Sequence, residues 1–268
     1  MQYKMVILDL DDTLLLSNGK ISEANKKALK LAQEKGVKVV LASGRPTFAM
    51  KNIAKELELE KYNGYMLSYN GSIVTDCNTG NILYETSLTK EEVENLYKLS
   101  LEHECYIHTY DGDTIITSHD NPYTYIESEI TGMPINVYED FVSALPKRCV
   151  KAIMVQAPKH LQEVQEMLKS KMNDKMTMAI SKPYFLEFMN KEVDKGKSLL
   201  RLCQQIDINI ENTIAIGDSY NDLSLIKMAG FGVAMGNAVE EIKEIADYIT
   251  ENNENDGVAK AIEKFILN

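Results

Sequence analysis

Asp9-Leu10-Asp11-Asp12-Thr13 sets three carboxylates and a hydroxyl directly behind an apolar run at residues 3–9. Side chains alternate along an extended segment, so Asp9 and Asp11 are expected to approach the same space. Two carboxylates there suit a hard divalent cation, and they can divide labour as nucleophile and general acid/base. The same residues are compatible with an acidic turn that caps a helix. A second acidic group, Gly217-Asp218-Ser219-Tyr220-Asn221-Asp222, also follows an apolar run. Its glycine permits close backbone approach. Ala42-Ser43-Gly44-Arg45-Pro46 offers a hydroxyl and free amides where a helix begins, a good anion site or a plain Ser cap. Lys195-Gly196-Lys197 opens a helix with cations, against the helix dipole, which hints at a use beyond the helix. Carboxylates, a hydroxyl with amides and a cation are together what phosphoryl transfer needs.

Such groups must be brought together by rigid elements. Residues 3–9, 37–42 and 65–69 read as buried strands, with helices at 22–34 and 46–57 between them. Ser22 can cap the first helix, Gly36 follows its end, and Pro46 suits the first turn of the second. Strand–helix alternation implies a parallel sheet with right-handed crossovers. The rhythm changes near residue 75. A hairpin at 72–85, a helix opened by Thr89 and Glu92, and strand-like pieces up to residue 189 have α+β character. Alternation returns after 190. The expected architecture is therefore α/β: a Rossmann-like parallel sheet with helices on both faces, built from residues 1–84 and 190–268, and interrupted by an α+β insertion at 85–189.

The 268 residues carry 29 Lys and Arg against 40 Asp and Glu, a net charge of −11. That balance disfavours nucleic acid and anionic membranes as partners, but leaves room for a locally positive phosphate site. Apolar runs are too short to span a bilayer. Asp9, Asp11 and Asp12 interrupt what would be the apolar stretch of a signal peptide, and Cys77, Cys105, Cys149 and Cys203 are scattered, so a cytoplasmic protein with free thiols is expected. A monomer or a weak homodimer is compatible with the chain. His103, His108, His119 and His160 share no ligand spacing, and residues 251–256 read as a solvated acidic loop.

In this order and on this topology, Asp9-x-Asp11-x-Thr13-Leu14, Ser43, Lys195 and Gly217-Asp218-x-x-Asn221-Asp222 resemble the four motifs of the haloacid dehalogenase superfamily of phosphatases. The insertion is similar to a type IIB cap, and Ala42-Ser43-Gly44-Arg45 with Asn70-Gly71 resembles the Cof-type sugar phosphatases. Asp12 stands where many relatives have glycine. The resemblance implies that Asp9 is the nucleophile and Asp11 the general acid/base. It implies Mg²⁺ on Asp9, the Asp11 main-chain carbonyl and Asp218. Lys195, Ser43, the Leu10 and Gly44 amides and Asn221 would hold the phosphoryl group, with Asp222 behind them. Arg45 and Asn70 are possible substrate contacts, and the insertion would close over the sheet edge and read the leaving group. The implied activity is hydrolysis of small phosphorylated metabolites, sugar phosphates in particular, through an aspartyl phosphate. A phosphomutase, or a metabolite-binding module without catalysis, remains an alternative.

Overall fold

The structure, a computed structural model, describes residues 3–171 and 174–268. In chain order come β1 (Met5–Leu8), α1 (Glu23–Glu34), β2 (Lys38–Ala42), α2 (Thr47–Glu56), β3 (Tyr65–Ser68), β4 (Ile73–Asp76) and β5 (Ile82–Glu85). There follow β6 (Leu88–Thr89), α3 (Lys90–Glu102), β7 (Tyr106–Asp111), β8 (Thr114–Thr117), α4 (Pro122–Thr131) and β9 (Ile135–Val137). Next are α5 (Phe141–Ala144), β10 (Arg148–Cys149), β11 (Ala152–Val155), α6 (Pro158–Leu168), β12 (Met176–Lys182) and β13 (Phe185–Asn190). The chain ends with α7 (Lys195–Gln205), β14 (Thr213–Gly217), α8 (Leu223–Met228), β15 (Phe231–Ala234), α9 (Glu240–Ile245), β16 (Tyr248–Ile249) and α10 (Gly257–Ile262).

One compact unit comprises the residues up to Glu85 together with Asp194–Asn268. Its eight strands run in the order β16-β15-β14-β1-β2-β3-β4-β5. The first six are parallel, and the β4–β5 hairpin continues the sheet antiparallel. β1 is wholly buried because it has a parallel neighbour on each side: Val6 lies opposite Val39 of β2 and Ile214 of β14. The strand order reverses around β1, and such switch points at strand carboxyl ends are where open α/β sheets bind ligands. α1 begins as expected, with the Ser22 hydroxyl accepting from the Asn25 amide at 3.1 Å.

The second unit, Thr86–Val193, holds a six-stranded sheet in the order β12-β13-β11-β7-β8-β9. Its own core joins Leu96 and Leu161 of the helices to Ile107, Met154, Leu186 and Phe188 of the strands. α3 opens on the expected capping box, Thr89 with Glu92. The boundaries fall at 85/86 and 193/194, against expected edges at 84/85 and 189/190. Residues 190–193 stay with this unit through turn bonds such as Lys191 N–H to the Lys175 carbonyl, 2.9 Å. α4 and β9 were not legible from periodicity, because α4 buries Thr124, Glu127 and Thr131 instead of an apolar stripe. Asn121, whose side chain accepts from Thr124 N, Pro122 in the first turn and left-handed Gly132 at the far end were the available signals. Among the described residues no helix is long and apolar enough to cross a membrane.

Candidate active site

β1 stops at Leu8, and the Asp9 amide still donates to the Ile216 carbonyl of β14 at 3.0 Å. The chain then winds into one wide turn, Leu10–Leu14, closed by Leu15 N–H to the Leu10 carbonyl at 2.9 Å. The expected extended run through Asp9 and Asp11 is therefore not what forms. Asp11 keeps extended angles (φ −70°, ψ 131°), but Asp12 turns left-handed (φ 57°, ψ 8°) while Leu10 and Leu14 bury themselves. Asparagine and aspartate are the residues other than glycine that tolerate this region best, which is how Asp12 can occupy a position suited to glycine. The Asn237 side-chain amide holds the Asp12 carbonyl at 2.7 Å.

Beside this turn, the buried Lys195 ammonium lies 2.5 Å from Asp9 Oδ1 and 2.7 Å from Asp222 Oδ1. Asp194 makes that placement possible by capping α7, its carboxylate accepting from Lys197 N at 2.8 Å. The other oxygen of Asp222 accepts the Asp218 and Ser219 amides at 3.1 and 3.2 Å. Asp222 is thus committed to anchoring Lys195 and its own turn. Gly217 is required for that curl, since a Cβ there would stand 2.7 Å from the Asp222 carboxyl. Asp218 receives the Thr13 hydroxyl at 2.7 Å, which ties the end of β14 to the turn after β1.

Burial dominates the electrostatics. It raises Asp9 well above the ordinary carboxylate range; Lys195 opposes the shift, and Asp222 and Asp218 reinforce it. Asp218 is pushed up to about 6 by burial, against the Thr13 hydrogen bond, with Asp222 and Asp12 adding to the rise. Burial works against the Lys195 cation too, but Asp9 and Asp222 outweigh it and hold the ammonium above its usual value. Asp9, Asp218 and Asp222 each bring an oxygen within 4.8 Å of one another. Three carboxylates against one ammonium leave net negative charge, and with both Asp222 oxygens committed to Lys195 and the turn, the oxygens of Asp9 and Asp218 are the hard donors that fit a divalent cation. The Asp11 carboxylate lies outside this group.

At the ends of β2 and β3, Ser43 is buried and Gly44 follows it against Asn70, whose side-chain oxygen would be 3.2 Å from an added Cβ. The Ser43 hydroxyl accepts from Arg45 N at 3.2 Å, leaving its own hydrogen to donate. Asn70 is left-handed (φ 57°); its amide donates to the Ser43 carbonyl and its side-chain oxygen accepts from Asn221 Nδ2 at 3.1 Å. Arg45 turns to Asp11, with Nε on Oδ2 at 3.0 Å and Nη2 on Oδ1 at 2.5 Å. The two residues expected as possible substrate contacts are thus both bonded to site residues. Sequence reasoning missed Asn237, Asp194 and the Thr13–Asp218 bond. Asp194 was findable as an N-cap, whereas Asn237 carried no signal.

A model of the haloacid dehalogenase-like hydrolase family matches residues 6–262. YxeH of Bacillus subtilis is 34% identical, the match covering 99% of each chain. The 5-amino-6-(5-phospho-D-ribitylamino)uracil phosphatase YcsE of the same organism is 30% identical, over 98% of this chain and 96% of its own. Among solved structures, a haloacid dehalogenase-like hydrolase from Bacteroides thetaiotaomicron superposes with a TM-score of 0.93 at 41% identity, covering 98% of this chain and 99% of that one.

Proposed function

The chain belongs to the haloacid dehalogenase-like hydrolase family, and from that premise we propose that it is a Mg²⁺-dependent phosphomonoesterase for small phosphorylated metabolites, sugar phosphates foremost. The observation that carries this reading is the cluster at the ends of β1 and β14, with Asp9 and Asp222 paired to the Lys195 ammonium and Asp218 bringing an oxygen within 4.8 Å of both carboxylates. YcsE, by its name, acts on 5-amino-6-(5-phospho-D-ribitylamino)uracil, a small phosphorylated metabolite, which supports that broader substrate class.

In this reading Asp9 attacks phosphorus and the ester P–O bond breaks, giving an aspartyl phosphate. Asp11 delivers a proton to the departing oxygen and then takes one from the water that attacks the aspartyl phosphate. Inorganic phosphate leaves and the Asp9 carboxylate is restored. Lys195, the Ser43 hydroxyl, the Leu10 and Gly44 amides and the Asn221 side-chain amide hold the phosphoryl oxygens. Asp9, the Asp11 carbonyl and Asp218 would hold Mg²⁺, which when bound offsets the repulsion between carboxylate and phosphate. Asp222, with both oxygens engaged, orients Lys195. The insertion supplies the selectivity for the leaving group.

The test is phosphate release from p-nitrophenyl phosphate and from a panel of sugar phosphates, with Mg²⁺ and with chelator. Metal-dependent turnover is expected, and Asp9→Asn is expected to lower kcat by at least about a thousandfold while the circular dichroism spectrum stays native. No metal-dependent release from any ester, or an active Asp9→Asn variant, would overturn the proposal.

A further inference from the structure

Arg45 is built more firmly than the group it holds. Its amide donates to the Ser43 hydroxyl, its carbonyl accepts from Tyr69 N at 2.9 Å, and Pro46 follows it into α2. Asp11, by contrast, sits in a wide turn with its side chain 57% exposed, so packing does not select its rotamer. The guanidinium meets both carboxylate oxygens, Nε on Oδ2 and Nη2 on Oδ1. A two-point contact of this kind fixes the plane of a carboxylate as well as its place, which the point charge of a lysine does not do. A group that must give a proton to a leaving oxygen and then take one from water has to keep one oxygen in reach through both steps.

We propose that Arg45 is the positioning residue of Asp11, aiming the general acid/base through the bidentate pair, and is not a contact of the substrate. This rests on the phosphatase reading above. The contact also joins the turn after β1 to the loop after β2, so the aim of Asp11 is set from a neighbouring strand end.

The experiment compares wild type, Asp11→Asn, Arg45→Gln, Arg45→Lys and the Asp11→Asn/Arg45→Gln double variant on two esters. p-Nitrophenyl phosphate expels a stable phenolate and needs little proton donation; glycerol 3-phosphate expels an alkoxide and needs it. Asp11→Asn is expected to cut kcat on the alkyl ester on the order of a hundredfold more than on the aryl ester. Arg45→Gln and Arg45→Lys should show the same leaving-group bias with KM near wild type, and the double variant should be no slower than Asp11→Asn alone. Arg45→Lys keeps the charge and guards against a loss that is only one of folding. The proposal is overturned if Arg45→Gln raises KM for both esters alike with kcat kept, or if the two losses multiply. A wild type inert on both esters would sink the phosphatase reading itself. An active wild type whose leaving-group bias changes in Asp11→Asn but not in the Arg45 variants sinks this proposal alone.

Discussion

Lys195 holds the charge balance of the site at the scale of a single side chain. It is fully buried between Asp9 and Asp222, so its removal leaves two buried carboxylates without their cation. Lys195→Ala is expected to cost about 3–5 kcal/mol of stability, measured by urea unfolding at pH 7.5. A loss below about 1 kcal/mol would show that water reaches these carboxylates and replaces the ammonium. His108 is the other buried titratable group with a readable consequence. Its Nδ1 faces the Thr124 hydroxyl at 3.1 Å, and the rings of Tyr110 and Phe185 meet it edge-on. Burial, and then the Lys151 cation, push its pKa down to about 3. An unfolded imidazole titrates near 6.5, so below that pH the unfolded chain binds a proton that the native one refuses. Stability is therefore complete at pH 7.5 and falls as the pH drops below about 6.5, by about 2 kcal/mol at pH 5 from this group. Burial of Asp9 and Asp218 raises both and acts in the opposite sense over the same range, so the His108 contribution is read as a difference: between pH 7.5 and pH 5, urea titrations should show wild type losing about 2 kcal/mol more than His108→Gln.

Among the elements, the segment following the turn at Leu10–Leu14 depends on the far end of the chain. Residues 15–21 form a small hairpin through the Leu15–Ile21 bridge. The acidic loop expected to be merely solvated grips this hairpin. Asn253 Nδ2 donates to the Leu15 carbonyl at 3.0 Å, Ser17 donates from amide and hydroxyl to Glu254 at 2.7 Å each, and Ser22 donates to Asp256 at 2.5 Å. Asn253→Ala removes one buried hydrogen bond, with a net effect of about 1 kcal/mol. Exchange of the Leu16 and Gly19 amides, bonded to Lys20 and Leu16, should then quicken about fivefold. Unchanged protection there would mean that the hairpin holds itself. α4 makes the opposite point about legibility. Its cap residues lay within the sequence, but its buried polar face hid the periodicity that normally marks a helix.

For the molecule as a whole, the chain makes two cores, and the first is assembled from both ends of the sequence. One hydrophobic cluster joins β1, β2 and β3 to β14, β15 and α10; the other lies wholly within the insertion. Separate cores permit separate cooperative units. Hydrogen exchange in rising urea is expected to expose β11 amides and β1 amides at different concentrations. A single midpoint for both would overturn this expectation and show that the two units unfold as one.

Asp9, Asp11, Ser43, Lys195, Asp218 and Asp222 could be picked out of the sequence because each sits where a strand ends or a helix starts, and local patterning marks such places. The parallel α/β core and the presence of an insertion followed from the same alternation. What each side chain does to the others was decided only in three dimensions. Asp222 anchors Lys195, Thr13 joins Asp218 across 205 positions, and Arg45 turns to Asp11 instead of outward. Spacing along a chain fixes which face of an element a residue occupies. Which partner waits on that face depends on how strands 208 positions apart, such as β1 and β14, are brought side by side, and that is settled by burying the core.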